Sequence, residues 1–449
     1  MAALSRRWCN VFAAAVHTLT FREKEPPLSM GYEWFNLCDY CGRGGDPENV
    51  RAPRFINAVA AALLGRHRGG AAAPPLRALR VVFDEFGFRG GDTRMAVDGW
   101  ISYAACHAAA GDDGGLEIDL RLDGEPVCKR KYALHGGGGG GYGAAEEAER
   151  PMYTTPKSLF SSATLRVLRL GRCRLGLPAT VALPALETMH LTRVTGESGA
   201  AVQRLVTACP RLAGLTLEDC DDLTCLSVLL PTRLRRLALR CCHNLTGAVD
   251  VEASELRVFE YRGAVLGPGF LTLCGDLSKI SQCKLDICGE EPAAPPELNF
   301  LQLFAGVERL HLTSARLGRG VVGHGVGFSA LRNLELTGML PDDDEGAIAA
   351  ATRILEQTPN LETLSLFFLP EPHLEGDSYR NDRADEETIH AAHKLRYDRN
   401  AAMAVPEVEI YCMRERIREI NFVHYQGAMA QRMLAKFLLR NAPVVSEVL

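Results

Sequence analysis

The sequence contains no uninterrupted apolar run of the roughly 18 residues that a membrane-spanning helix needs. Near the N-terminus, Arg6 and Arg7 are followed only by the short apolar run VFAAAV, which is shorter than the apolar region of a secretory signal. We therefore expect a chain that neither crosses a membrane nor is secreted. The expected location is the cytoplasm, the nucleus or both.

The sequence also has no large excess of positive or negative residues. The chain has 50 Lys and Arg against 55 Asp and Glu, so its formal net charge is −5. Because proteins that bind nucleic acid or anionic membranes concentrate positive charge, this balance favours neither partner.

Cysteine is too scarce for a disulfide-stabilised scaffold, with 15 cysteines in 449 residues. Reduced thiols are the expectation. Cys38 and Cys41 have the spacing of two metal ligands, but a structural zinc site needs four and no second such pair lies nearby. A loop is the favoured interpretation, and we predict no metal site.

Recognisable catalytic motifs are absent as well. The sequence holds no G-x-S-x-G and no H-E-x-x-H. The glycines between 318 and 327 lack the Lys-Ser/Thr and the strand–helix context of a phosphate-binding loop. For His17, His190, His311 and His424, solvated or capping roles are favoured over general-base roles. We predict a protein that is not an enzyme and that binds no cofactor.

What the sequence does have is a repeat. A nine-residue pattern, apolar-x-x-apolar-x-apolar-x-x-(Cys, small or apolar), begins at Leu165, Leu186, Leu212, Leu234, Leu256, Ile280, Val307, Leu331, Leu361 and Ile417. The first eight intervals are 21 to 30 residues long, close to the range of about 20 to 29 residues for leucine-rich repeats. The pattern predicts an α/β repeat fold, a leucine-rich-repeat solenoid of horseshoe type. Its parallel β-sheet should lie on the concave side, with helices and turns on the convex side.

Strand alternation assigns a direction to each position of the repeat. Positions 4 and 6 should turn into the core, position 1 should pack under the turn that enters the strand, and position 9 should face inward. On this reasoning Cys242 belongs to the core and Cys241 is exposed or in a turn. Residues 224–231 leave room only for a turn or a short 3₁₀ segment. Helices are predicted between several strands. In one of them Val202, Leu205, Val206 and Cys209 share one face, and in another Val97, Ile101, Ala104 and Ala105 do. A third helix is predicted in the segment that contains Leu434 and Phe437.

The pattern and its interruptions divide the chain into six segments. They are residues 1–15, an N-terminal helix remnant; 16–134, irregular N-terminal repeats; 135–152, a glycine-rich loop; 153–369, the leucine-rich repeats; 370–405, a charged insertion; and 406–449, a C-terminal repeat with a capping helix.

Positions 3, 5 and 7 of each repeat should point away from the core, towards the concave face. The candidate partner-binding residues at these positions are Arg169, His190, Glu218, Arg236, Arg240, Glu260, Arg262, Lys284, Arg309, His311, Glu335 and Phe367. Arg beside Glu on stacked strands suits a polypeptide ligand. The competing interpretation is a set of cross-strand charge pairs that keep an exposed sheet soluble.

One part of this face carries a sharper prediction. Glu218, Glu260 and Arg262 should be lateral neighbours of Arg236 and Arg240. We expect Arg236→Glu combined with Arg240→Glu to weaken partner binding while the fold survives. Arg204→Glu, on the convex side, should leave binding nearly intact.

Four stretches carry a family resemblance: AALSRRWCNVFAAAVHTLTF, LSVLLPTRLRRLALRCCHNLT, LRVFEYRGAVLG and IREINFVHYQGAMAQRMLAKFLLRNAPVV. Together they resemble plant F-box/LRR-repeat proteins of the FBD-like, grass type. That resemblance implies the substrate receptor of an SCF ubiquitin ligase, in which the F-box binds a Skp-type adaptor and the repeats hold a protein substrate. Only the tail of the F-box, around Leu4 to Trp8, is recognisable. We therefore expect these 449 residues not to bind the adaptor.

Protein–protein recognition is thus the predicted function, with a protein substrate as the partner. The alternative is a small-ligand, hormone-like receptor with a pocket in the repeats, which the 370–405 insertion would cover. A deep apolar pocket with converging polar groups would favour the receptor, and an open groove would favour protein binding.

Overall fold

The computed structural model describes residues 16–23, 48–68, 74–83, 91–108, 115–122, 152–196, 199–229, 233–264, 269–287, 299–318, 327–341, 346–369, 409–443 and 447–448. The predicted helix remnant, the charged insertion, nearly all of the glycine-rich loop and the Cys38–Cys41 pair lie outside these ranges. The chain forms two compact units. Of the described residues, the first unit takes 16–234 and 242–247, and the second takes 235–241 and 248–448.

The first unit is built on a parallel sheet in which each strand pairs with its successor in space. In spatial order the strands are β1 (Thr18–Arg22), β2 (Ala78–Val82), β3 (Leu116–Arg121), β5 (Leu165–Gly171), β7 (Thr188–Thr192) and β9 (Gly214–Glu218). A short sheet is formed by β4 (Tyr153–Thr154), β6 (Cys173–Leu175) and β8 (Thr195–Gly196), and β10 spans Leu226–Val228. The helices are α1 (Glu48–Arg68), α2 (Gly91–Cys106) and α3 (Ala201–Thr207), with a 3₁₀ turn at Lys157–Ser161.

In the second unit, too, each strand of the main sheet pairs in parallel with its successor in space. Its strands, in spatial order, are β11 (Arg236–Arg240), β13 (Val258–Gly263), β15 (Gln282–Ile287), β16 (Arg309–Arg316), β17 (Asn333–Met339), β18 (Thr363–Leu369), β19 (Glu419–Val423) and β20 (Glu447–Val448). Two further strands, β12 (Val249–Glu252) and β14 (Leu271–Cys274), pair with each other. The helices are α4 (Ala347–Glu356), α5 (Tyr411–Glu415) and α6 (Met429–Asn441), with 3₁₀ turns at Leu277–Lys279 and Asn299–Phe304.

The core consists of the predicted repeat positions. Positions 1, 4 and 6 are buried in almost every described repeat, as Leu212, Leu215 and Leu217 show with no exposed surface at all. Burying one such leucine stabilises the fold by about 1.5 to 3 kcal/mol, and stacked repeats supply this burial to one another. Phe422, at position 6 of the last repeat, is only half-buried. The predicted solenoid of leucine-rich repeats is confirmed.

The predicted helices are present and bury most of the expected faces. In α3 and just after it, Val202, Leu205, Val206 and Cys209 are all buried, as predicted. In α2 the residues at 97, 101 and 104 are buried, but Ala105, predicted on the same side, is exposed. Successive helical positions lie about 100° apart, so Ala105 falls at the solvent edge of the stripe.

Position 8 of the repeat has a conformation that the sequence pattern does not reveal. Arg172, Arg193, Asp219, Cys241 and His424 occupy this position, and all have φ between 51° and 58°, in the left-handed region. The backbone N–H of the residue at position 8 donates to the carbonyl that ends the next strand, as from residue 193 to residue 218 at 2.8 Å. This turn leads the chain off the sheet in four successive repeats, at residues 172, 193, 219 and 241, and again in the last repeat at residue 424.

The left-handed turn contains Cys241, which was predicted to be exposed or in a turn. Cys241 is in the turn but is buried, with 1% of its surface exposed, whereas Cys242, predicted in the core, is only half-buried. Strict alternation between opposite faces does not continue through a residue of positive φ. The ninth position is also less uniform than predicted, because Ala264 is exposed and Tyr425 keeps 36% of its surface exposed.

Short strands lie where only turns were predicted. Residues 226–228, within the segment predicted as a turn or 3₁₀ piece, form β10. In the second unit, β12 and β14 pair in parallel, with Val249 opposite Leu271, and Val249 and Val251 are fully buried. Repeats of 22 to 24 residues leave too little chain for a helix, and an extended segment can satisfy its backbone groups by pairing with the next repeat.

Candidate functional site: the open face of the repeat sheet

The predicted partner-binding residues lie on the face of each main sheet opposite the buried leucines, which we call the open face. In the first unit Arg169 is on β5, His190 on β7 and Glu218 on β9. Arg169 and His190 are register partners, and Nε2 of His190 lies 3.3 Å from a carboxylate oxygen of Glu218. Thr192 donates a hydrogen bond to the same carboxylate at 3.2 Å.

The open face of the first unit also holds charged residues that sequence reasoning missed. Arg80 donates to both oxygens of Glu117, at 3.0 and 2.7 Å, and Arg169 also donates to Glu117. Asp119 accepts two hydrogen bonds from Arg121, at 2.9 and 3.0 Å. The hydrogen bond from Arg80 holds the pKa of Glu117 below its usual value against the effect of burial, and the charges of both arginines add to this. The alternation of apolar and charged residues in LEIDLRL, residues 116–122, could have identified Glu117, Asp119 and Arg121 as outward-facing.

In the second unit, Glu260 is the centre of a group of basic side chains. Arg240 donates to both of its oxygens, at 2.9 and 3.0 Å, and Arg236 donates to one at 3.3 Å. The Lys284 ammonium lies 3.9 Å from the same carboxylate. Only 7% of the Glu260 side chain is exposed, so the arginines cover it.

Electrostatics keep Glu260 ionised in spite of this burial. Burial raises its pKa, but the hydrogen bond from Arg240 and the charges of Arg240, Lys284 and Arg236 together outweigh it, so the pKa lies below the usual value. The pKa of Lys284 is lowered, first by burial, while the Glu260 charge opposes the shift. An ionised carboxylate under three cations is therefore the stable state at neutral pH.

A second buried carboxylate lies next to this group. Arg262 is the register partner of Arg240 on one side and of Asp286 on the other. The Arg262 guanidinium lies 3.3 Å from Asp286, whose side chain is 5% exposed. As predicted, Glu260 and Arg262 are lateral neighbours of Arg236 and Arg240. We call Arg236, Arg240, Glu260, Arg262, Lys284 and Asp286 the charged patch.

His311 marks the end of the charged patch. Its Nε2 lies 3.1 Å from the hydroxyl oxygens of both Thr313 and Thr337 and 3.3 Å from Glu335. Burial, with a smaller contribution from the Lys284 charge, lowers the pKa of His311 to about 3. The imidazole is thus neutral at neutral pH, and its contact with Glu335 is not an ion pair. Burial raises the pKa of Glu335, while the charge of Lys284 opposes this shift.

Beyond His311 the side chains at positions 5 and 7 of the open face are uncharged, except for Glu335 on β17. Phe367 on β18 is half-buried and lies in register between Thr337 and Val423. Asn421 donates to Ser365 Oγ at 3.1 Å. The neutral patch, as we call it, comprises His311, Thr313, Thr337, Ser365, Phe367, Asn421 and Val423. Arg309 is exposed at the start of β16.

The structure therefore groups the predicted residues of the second unit into two sets. Five of them, Arg236, Arg240, Glu260, Arg262 and Lys284, form one cluster. His311 and Glu335 adjoin it, whereas Phe367 lies two strands beyond His311 and is separated from the charges. Neither Glu260 nor His311 is exposed, which alternation alone did not indicate.

Two absences hold within the described residues. No three or more His, Cys, Asp or Glu side chains are arranged there to hold a metal ion. Across the same ranges, no helix combines the length and the hydropathy that crossing a membrane requires.

With these repeats and their open face described, the comparison with protein families is direct. The model of the At1g61320/AtMIF1 LRR domain matches residues 145–395, more than half of the chain. The chain belongs to this family. The match spans most of the repeats found in the sequence, including every strand from β5 to β18.

Similar proteins of Arabidopsis thaliana carry F-box names. The putative F-box/FBD/LRR-repeat protein At4g00315 is 25% identical over 312 residues, covering 66% of this chain and 64% of that protein. The putative FBD-associated F-box protein At5g50270 is 24% identical over 298 residues, covering 64% and 65%. The F-box protein At4g09920 is 38% identical over 112 residues, covering 23% and 34%. The chain thus spans between about a third and two thirds of these relatives. Together with the LRR-domain family, they support a protein-interaction role of the kind found in F-box-type proteins.

Proposed function

We propose that this chain recognises a protein substrate through the open face of its repeats, as the substrate-binding part of an F-box-type ubiquitin-ligase subunit. One observation carries the proposal: F-box proteins are similar to this chain over about two thirds of its length, and the LRR-domain match at residues 145–395 includes most of the open face. The proposal includes a non-enzymatic role and a location in the cytoplasm or nucleus. Neither the family match nor the relatives favour the small-ligand alternative.

The neutral patch has the composition of an interface centre. Aromatic residues are enriched where interfaces are fully desolvated, and charged residues are depleted there. Phe367 is a half-buried aromatic side chain flanked by Thr337 and Val423, with uncharged Ser365 and Asn421 on the same strands. A protein partner could cover Phe367, Thr337 and Val423 without burying the side chains of the charged patch.

A photo-crosslinking experiment tests the use of the open face. Benzoylphenylalanine is introduced at Phe367 in one protein and at Tyr411 in another, and each is expressed with an affinity tag in plant cells. Tyr411 is the matched control because it is also aromatic, is 60% exposed and lies on α5 rather than on the sheet.

We expect light to attach a protein partner at position 367 and not at position 411. Crosslinks from position 411 alone would contradict the use of the open face, and so would a co-purified partner that never crosslinks from position 367. For the ubiquitin part of the proposal, inactivating the gene should raise the abundance of the crosslinked partner. An unchanged abundance would contradict that part and leave protein recognition in place.

A further inference from the structure

We infer that the charged patch and Arg309 together dock an acidic segment of the protein partner, an inference that rests on the proposed function. The open-face positions of β11, β13, β15 and β16 comprise twelve residues. Five are basic, namely Arg236, Arg240, Arg262, Lys284 and Arg309, and two are acidic, Glu260 and Asp286. This local surplus of positive charge stands out in a chain whose net charge is −5.

The acidic side chains of this surface are more deeply buried than the basic ones, which increases the surplus of positive charge that a partner meets. The side chains of Glu260 and Asp286 are only 7% and 5% exposed, whereas that of Arg236 is 54% exposed and Arg309 is also exposed. A partner that approaches the sheet therefore meets cations first. A guanidinium carries five N–H donors in a fork that matches a carboxylate, so the contact of Arg236 with Glu260 engages only part of its capacity.

The dimensions of the surface set the size of the segment. The four strands pair consecutively, and with neighbouring strands about 4.8 Å apart they span roughly 14 Å. An extended peptide advances about 3.3 Å per residue, so about four or five residues cross the surface. A short run of Asp and Glu residues fits this length.

The composition of the surface favours an acidic polypeptide over a nucleic acid. Proteins that bind single-stranded nucleic acid combine basic grooves with aromatic side chains on which bases stack. None of the twelve positions holds Phe, Tyr or Trp. A long polyanion would also be repelled by the net negative charge of the whole chain, whereas a short segment responds mainly to charges within about one Debye length, about 8 to 10 Å.

Fluorescence anisotropy with a labelled oligoglutamate tests the inference. The probe is a fluorescein-labelled peptide of about eight glutamates, slightly longer than the patch is wide. The test variant combines Arg236→Gln with Arg309→Gln and leaves Arg240 and Lys284 beside Glu260. The matched control combines Arg211→Gln with Arg353→Gln, which removes the same charge from arginines outside the main-sheet strands. Thermal melts verify that both variants are folded.

We expect the test variant to bind the probe at least about threefold more weakly than the wild type, because each lost surface contact is modest. The control should bind within about 1.5-fold of the wild type, and affinity should fall with added salt. Equal losses in both variants would overturn the inference. So would an oligothymidylate of equal charge that binds more tightly than the peptide and loses affinity in the same variant.

These outcomes separate the inference from the proposed function. If the peptide does not bind but the crosslink at position 367 remains, the acidic-segment inference is wrong and protein recognition stands. If crosslinking fails at position 367 although the peptide binds the charged patch, the proposed function is contradicted and the affinity of the patch for acidic peptide stands.

Discussion

The charged and neutral patches of the second unit lie on one sheet, and two buried carboxylates in and beside them have pKa values that are shifted in opposite directions. Glu260 is almost fully buried, and its pKa still falls because Arg240, Lys284 and Arg236 surround it. Glu335 is less buried, and its pKa rises because Lys284 alone opposes the cost of burial. Burial alone therefore does not decide the direction of the pKa shift. The number of opposite charges close to the carboxylate does.

The two patches also differ in how strongly the substitution of a side chain should lower the stability of the fold. In the charged patch the basic side chains compensate two carboxylates that are only 7% and 5% exposed, so loss of several of these bases leaves an uncompensated buried charge. In the neutral patch, contacts such as the one between Asn421 and Ser365 are single hydrogen bonds between uncharged groups, and loss of one of them costs little. The following predictions test this difference.

The largest effect is expected from Arg236→Glu combined with Arg240→Glu. From sequence alone we expect the fold to survive this change, but the burial of Glu260 reverses that expectation. Two new carboxylates beside a buried one should lower the free energy of unfolding by about 3 to 5 kcal/mol. Urea denaturation measures the loss, with Arg309→Glu as the control, which should stay within about 0.5 kcal/mol of the wild type. Wild-type stability of the double variant would mean that the arginines do not stabilise Glu260.

A core residue of the first unit gives a reference for this effect. Leu215→Ala should destabilise by about 2 to 5 kcal/mol, since Leu215 has no exposed surface and lies in register with Met189. Because neighbouring repeats share one core, hydrogen exchange should increase in adjacent strands as well as in β9. An unchanged melting temperature would refute the assigned position of Leu215 in the core.

The pH dependence of stability tests the neutral state of His311. The unfolded chain binds a proton at this histidine below about pH 6.5, whereas the folded protein does so only near pH 3. Stability is therefore lost as the pH falls from 6.5 towards 3, by roughly 3 kcal/mol at pH 4 for this group. The raised pKa of Glu335 acts in the opposite direction, because its protonation favours the folded state.

The variant His311→Gln should have a flatter dependence of the urea midpoint on pH between 6.5 and 4 than the wild type. Glutamine cannot bind a proton in this range, so the His311 contribution disappears while that of Glu335 remains. Identical slopes for the two proteins would show that His311 does not change its protonation on unfolding.

The smallest effect is expected from Ser365→Ala. This change removes the hydroxyl that accepts a hydrogen bond from Asn421, and Asn421 keeps its 2.8 Å bond to Glu419. The free energy of unfolding should fall by about 0.5 to 1 kcal/mol. A loss above about 2 kcal/mol would remove the contrast between the two patches.

Much of the open face could be predicted from the sequence. Because side chains alternate along a strand, the positions of Arg236, Glu260 and Phe367 follow once the leucines are placed. The same reasoning could have included Glu117 and Asp119, since LEIDLRL already reads as an alternating strand. The left-handed turn at position 8 could not be predicted, because Arg, Asp, Cys and His occupy it and share no chemical signature.

The sequence by itself determined the core, because one nine-residue pattern specifies which side chains each repeat buries. Only the tertiary structure decided the charge states on the open face. Whether Glu260 is ionised and His311 is neutral depends on side chains that come from other repeats, twenty or more residues away in the chain. A periodic pattern says which way each residue points. It does not say how far a neighbouring arginine reaches or how much water it excludes, and these are the quantities that set a pKa.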